Sequence, residues 1–151
     1  MTGMRPNTAQ ANNCAILGTL EVLGDLWSLG VLRCVFTGTT RFSAMQRTLG
    51  IASNVLADRL NRLVALGILD RVVYQQRPVR HEYRATAKGL ELAPALLALR
   101  EWGTRHLSWA GDLAPLAHAG CGGRVRTVPR CEACAAEVPV REVAIPLATA
   151  T

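Results

Sequence analysis

Four residues toward the C-terminal end of this 151-residue chain have the types and spacing of a metal cage. His118-Ala-Gly-Cys121 and Cys131-Glu-Ala-Cys134 each set two soft donors three positions apart, so that both can point at one ion from a tight turn. Nine residues separate the two pairs, and Gly120, Gly122 and Gly123 give the first turn its backbone freedom. The pattern reads as tetrahedral coordination of a structural zinc ion by His118, Cys121, Cys131 and Cys134. The alternatives are a redox-active pair at Cys131 and Cys134, or unrelated cysteines in a loose tail. A thioredoxin-like pair requires a βαβ context that this sequence lacks, and a disulfide framework does not suit a cytosolic chain. A tail with few large apolar side chains needs help to fold, which a metal supplies. A closed four-ligand site also leaves no open position for catalysis.

The second chemistry is phosphate recognition. Between Arg41 and Arg84 stand eight arginines against three acids, which is most of the net charge of +6. Basic residues concentrated in one segment are the footprint of a nucleic-acid partner, because each neutralised phosphate releases condensed counterions, the alternative being an ordinary solvated surface. No phosphate-binding loop, no dinucleotide glycine pattern and no nucleophile with an evident base is found, so an enzyme and an organic cofactor are not expected. Half of the residues are hydrophobic, enough for a real core. No apolar run approaches the roughly 20 residues that span a bilayer, and no basic-then-apolar leader opens the sequence. The expectation is a cytoplasmic protein with no membrane partner.

The elements that must position these groups follow from periodicity and punctuation. Residues 1–13 read as a flexible arm. Asn13 is placed to cap a first helix from Cys14 to about Leu23, which Gly24 stops. Asp25 caps a second helix through Phe36, apolar almost all round and so expected at the centre. Ser43-Ala-Met-Gln46 reads as the capping box of a short helix ending at Gly50. Ser53 then caps a longer helix, 53–66, closed by Gly67. Two helices across a short glycine-containing turn have helix-turn-helix spacing. Leu56, Leu60, Leu63 and Val64 fall on one stripe of the second, with Asn54, Asp58, Asn61 and Arg62 opposite and Arg59 on the flank. Asn and Arg are side chains that read base edges.

Residues 68–74 read as a strand, 75–80 as a loop containing Pro78, and 81–86 as a second strand. A basic hairpin directly after such a helix is a wing, with Arg77 and Arg80 at its tip. Thr86 caps a further Leu- and Ala-rich helix, expected to kink at Pro94 and run to about Trp109. Leu92, Leu96, Leu97, Leu99, Trp102 and Leu107 give it more apolar surface than a small domain needs, as in a dimer interface.

Cys14…Leu23-Gly-Asp-Leu-Trp27, Arg41-Phe-Ser43, Ala52-Ser-Asn-Val-Leu-Ala-Asp-Arg-Leu60, Leu66-Gly-Ile-Leu69, Tyr74…Arg77-Pro-Val-Arg-His-Glu-Tyr83 and Thr86-Ala-Lys-Gly89 together resemble the HxlR-type regulators. These are winged helix-turn-helix proteins related to the MarR group, and the resemblance spans residues 14–109. It implies a mainly α fold with a small β-hairpin wing (α+β) and a homodimer built through the terminal helices. It further implies binding to a near-palindromic operator in double-stranded DNA, usually as a repressor. Helix 53–66 takes the recognition position and 75–81 the wing. The DNA-contacting set is Arg41, Ser43, Ser53, Asn54, Asp58, Arg59, Asn61, Arg62, Arg77 and Arg80. Gly30 departs from the aliphatic residue usual in the family, at a local cost of about 1 kcal/mol relative to Ala. Some members sense oxidants or electrophiles through a cysteine at the start of the first helix. Cys14 holds that position, where the helix dipole favours a thiolate, although simple packing is equally compatible. A small-molecule or oxidant effector fits this reading, while Cys34 is expected in the core. The sequence thus divides into an arm (1–13), a DNA-binding and dimerisation domain (14–109) and a linker with a zinc-binding tail (110–151). The competing readings are a winged-helix protein-interaction module and a thiol or zinc redox protein. An arginine-rich wing favours DNA, since a protein-docking face shows more exposed apolar anchors.

Overall fold

The computed structural model of the chain describes residues 14–108 and 116–144. The arm 1–13, Asn13 as a cap, Trp109 and linker residues 110–115 lie outside the described residues, as do residues 145–151. The chain forms two compact units that divide between Ala93 and Pro94, earlier than the change of character after residue 109 suggests.

The first unit is built from α1 (Ala15–Leu23), α2 (Leu26–Phe36), α3 (Phe42–Leu49), α4 (Ser53–Ala65), β1 (Leu69–Gln76), β2 (Val79–Ala85) and α5 (Ala87–Leu90). The order of five helices and an antiparallel hairpin is the α+β winged helix. Asp25 caps α2 as expected, accepting from the backbone N–H groups of Trp27 and Ser28. Val31, Leu32, Met45, Leu56, Leu60, Leu63 and Leu69 are completely or almost completely buried, and Tyr83 closes the core from β2. The expected stripe of α4 is therefore the buried one, with Val64 only half-buried at its edge. The wholly buried interior of α2 is narrower than its composition suggests, because Leu26 is 74% exposed. Gly30 has a local reason: a Cβ there would lie 3.1 Å from a methyl of Leu49, so the glycine lets α3 approach α2.

Several local expectations are corrected. The capping box is not formed: α3 starts two residues earlier, at Phe42 after an extended Arg41 in the cap position, and has no side-chain cap. Gln46 instead donates from Nε2 to Ser53 Oγ (2.7 Å), bracing the turn between α3 and α4. Ser53 is thereby the first residue of α4, and Ala52 stands at the cap position. The wing is longer in strand and shorter in loop than the 75–81 span suggests. Gln75 and Gln76 continue β1, Arg80 lies in β2, and only Arg77 and Pro78 connect them. The register runs from Leu69 opposite Ala85 to Gln76 opposite Val79, with a bulge between Val73 and Gln75. Gly50 and Gly67 both take left-handed φ, at +63° and +65°, where each helix ends.

Thr86 caps α5 as expected, accepting from Gly89 N–H (3.0 Å). The anticipated kink is a full break. The α5 helix stops at Leu90, and a new helix, α6 (Ala93–His106), opens the second unit with Pro94 in its first turn. There the missing N–H would have had no intrahelical partner, so proline ends up where it costs least. The rest of the second unit, residues 116–144, consists of two tight turns and a short 3₁₀ segment, Val140–Glu142, and its described residues have no buried side chain.

Candidate nucleic-acid interface

The outward side of α4 carries Ser53, Asn54, Asp58, Asn61 and Arg62, all exposed, over the buried leucines. Two arginines expected to reach DNA are tied to their own protein. Arg59 Nε donates to Asp25 Oδ1 (2.9 Å), and its guanidinium also pairs with Asp58. Arg62 donates to the carbonyl of Glu21 in α1 (2.7 Å). Both bonds fix the pitch of α4 against the helices beneath it. Burial alone would push the Asp25 carboxyl up, but the hydrogen bonds from Ser28 and Arg59 outweigh it and hold the group below the usual carboxylate value. Asp25 is thus both the cap of α2 and the anchor of α4, a second role with no local sequence signal.

The far end of α4 is clamped by the Thr86-Ala-Lys-Gly89 segment. Lys88 Nζ donates to the Leu66 carbonyl (2.8 Å) and Thr86 Oγ1 to that of Gly67 (2.7 Å), satisfying carbonyls that a helix end leaves open. A Cβ on Gly89 would lie 2.2 Å from the Ile68 carbonyl oxygen, so only glycine fits.

An open cleft of about 460 Å³ lies between the start of α3 and the hairpin. Arg41, Ser43, Arg71, Tyr74, Arg80 and His81 line it. Arg41 pairs in antiparallel fashion with Glu82, and Tyr83 N–H donates to the Thr40 carbonyl (2.8 Å), which docks the start of α3 on the wing. Tyr74 is the extra residue of the bulge, and its ring lies under the Arg41 guanidinium at 4.3 Å. Arg71 reaches His81 Nδ1 at 3.2 Å. Arg71, Tyr74 and His81 stand outside the expected DNA-contacting set, although Tyr74 and His81 belong to the motif that carries the family resemblance. The register would have found Arg71, because it stands opposite Tyr83 and near His81 on the same face, whereas the bulge that turns Tyr74 leaves no mark in the sequence. Arg77 stays exposed at the hairpin tip.

This architecture agrees with what known proteins show. The HxlR-like helix-turn-helix family matches residues 22–110. The chain belongs to that family. An uncharacterized HTH-type transcriptional regulator of Mycobacterium tuberculosis is 40% identical over 125 residues, covering 82% of this chain and 79% of the relative. The crystal structure of PA1607, a candidate transcription factor, superposes with a TM-score of 0.76 at 31% identity, covering 93% of this chain and 99% of that one. The redox regulator HypR in its reduced form matches with a TM-score of 0.59 at 30% identity, over 66% of this chain and 100% of its own. The HxlR-like chain is thus a helix-turn-helix transcriptional regulator, and its family is not a class of enzymes.

The cysteines of this HxlR-like regulator fall into three settings. Cys14 is a free, half-buried thiol at the N-cap of α1. Cys34 is buried in the core as expected, and that burial pushes its thiol up from the ordinary value. In the second unit the expected donors meet two by two. His118 Nδ1 is 3.2 Å from Cys121 Sγ, and the Cys131 sulfur accepts from the N–H groups of Cys134 and Ala133, which holds its thiol below the usual value. The two pairs do not converge: among the described residues no three metal-binding side chains gather around one point. Among the described residues 116–144 no apolar side chain is buried to press the two turns together. No single helix among the described residues is long and apolar enough to cross a membrane.

Proposed function

We propose that this HxlR-like regulator is a homodimeric repressor of a near-palindromic operator, with α4 in the major groove and Arg77 and Arg80 on the backbone or in the minor groove. The observation that carries this reading is the exposed row Ser53, Asn54, Asp58 and Asn61, held from behind by the fully buried Leu56, Leu60 and Leu63. A helix that meets base edges must present polar groups on a face that does not rock. Arg41, Arg71 and Arg80 around the neighbouring cleft supply charge for phosphates. A dimer is supported by apolar side chains left in water, Ile16 and Leu20 on α1 and Leu99 and Trp102 on α6.

Operator binding measured against salt is the test. Affinity should fall steeply between about 50 and 200 mM salt. Replacing Arg77 and Arg80 with Ala should weaken binding to every duplex, while Asn54→Ala or Asn61→Ala should change sequence preference by about 1–3 kcal/mol at single base pairs. If all these variants bind like the parent protein, α4 and the wing are not the DNA face. A salt-insensitive complex with another protein in place of DNA would favour an interaction module.

Cys14 supports a second layer, control by thiol oxidation, because a partly accessible thiol at a helix start is where oxidants act. Diamide or a quinone should change operator affinity, and Cys14→Ser should abolish the response. Equal affinity before and after treatment would leave Cys14 a packing residue.

A further inference from the structure

We propose that residues 116–138 are a duplicated metal-binding turn that holds one zinc ion through Cys121, Cys131, Cys134 and His118. The proposal is independent of how the first unit meets DNA. What carries it is an internal repeat in the backbone, not the spacing of the cysteines alone. The turns 116–125 and 129–138 are built the same way with an offset of thirteen residues. Ala117 bridges Arg124 and Arg130 bridges Glu137. Val125 N–H donates to the Leu116 carbonyl (2.7 Å), and Val138 N–H to that of Pro129 (2.9 Å). Inside each loop, the N–H of Gly122 donates to the carbonyl of His118 (2.8 Å), and that of Ala135 to the carbonyl of Cys131 (2.9 Å). The N–H of His118 meets the Gly123 carbonyl (2.8 Å), as that of Cys131 meets the carbonyl of Ala136 (3.0 Å).

The residue after the second donor is left-handed in both turns, Gly122 at φ +71° and Ala135 at φ +58°. Among the described residues Ala135 is the only non-glycine with positive φ, a conformation that L side chains rarely adopt. The second turn thus keeps the geometry of the first even where its sequence resists it. At equivalent places each turn offers a pair of soft donors, His118 with Cys121 and Cys131 with Cys134. Chance placement of two cysteines does not repeat a hydrogen-bond pattern, a left-handed residue and two donor positions together.

The occupant follows from the donors. Three thiolates and an imidazole select a borderline-soft ion content with tetrahedral geometry, which is zinc. The turns are separate in the structure, and only Arg126–Val128 join them, so that Val125 and Pro129 are at most about 14 Å apart. Thr127 N–H lies 3.4 Å from Glu101 Oε2 on α6, so the joining segment is already tethered midway. With none of the side chains of 116–144 buried in an apolar core, the ion is what draws the two pairs into one cage.

The test uses the full chain purified without chelators. Elemental analysis should find about one zinc per chain. The double variant Cys131→Ser/Cys134→Ser should lose nearly all of it, and Cys14→Ser should keep it. Cobalt should replace zinc with the intense visible bands of a tetrahedral thiolate site, a readout that does not depend on variants folding. Clearly less than one zinc per chain together with no such cobalt spectrum in reduced protein overturns the proposal. So does zinc retained by the double variant, or a Cys131–Cys134 disulfide that persists when reductant and zinc are supplied.

Discussion

Between Leu23 and Tyr83 every helix and strand gives at least one side chain to a common core, whereas residues 116–144 bury none. The first region is ordered by water leaving apolar surface, at about 1.5–3 kcal/mol for each large side chain buried. The second is ordered by backbone hydrogen bonds that close two small loops, with thiols and an imidazole at their tips. A core of the first kind tolerates changes at its surface and fails when its interior is cut. A pair of loops has no interior to cut, and depends on what its tips hold.

The sharpest way to separate the two is Leu60→Ala. Leu60 is fully buried, so its truncation should cost the first unit about 2–5 kcal/mol in urea unfolding and leave metal binding at the proposed site in 116–138 unchanged. A near-neutral result would mean that the core is looser than its packing implies. Gly89→Ala comes next. It sets a methyl against the Ile68 carbonyl, where the obstacle is backbone, and should cost roughly 1–3 kcal/mol by the same measurement. Wild-type stability in that variant would show that α5 can slide away from β1.

Asp25→Ala should cost about 0.5–2 kcal/mol for the lost cap, with an added loss where Arg59 was anchored. Its pH dependence has a definite sign. The folded carboxyl lies below its ordinary value, so its contribution is complete above about pH 4 and disappears as pH falls through the folded value. Unfolding midpoints of the two proteins should therefore converge in acid, and a gap that stays constant with pH would contradict the assignment. The smallest effect is the most telling for the comparison. Cys131→Ser/Cys134→Ser should move the unfolding of the first unit by no more than about 0.5 kcal/mol, while limited proteolysis within 116–144 accelerates. A larger shift would join the units energetically.

Reading the sequence succeeded where structure is set by neighbours along the chain. Asp25 as a cap, the leucine stripe of α4, the turns at Gly50 and Gly67 and the Thr86 cap all depend on residues within a turn or two. It failed where a distant group competes for the same atoms. Gln46 has a reachable partner at Ser53, so the local capping box loses. Arg59 and Arg62 look like free basic side chains until their partners, 34 and 41 residues away, come into contact. The bulge at Tyr74 leaves no mark in hydrophobic periodicity, and of the two turns the sequence shows the matched donor spacing while the repeated backbone hydrogen bonds appear only in the fold.

The division of labour along α4 has a consequence for descent. The helix is steered by Arg59 and Arg62, which grip Asp25 and the backbone of Glu21, while Asn54 and Asn61 point outward and hold nothing in place. If α4 reads bases as proposed, a duplicated gene can exchange the two asparagines for a new binding preference in single steps, without passing through an intermediate that has lost its footing. Relatives with diverged targets should differ at positions 54 and 61 and keep arginine at 59 and 62.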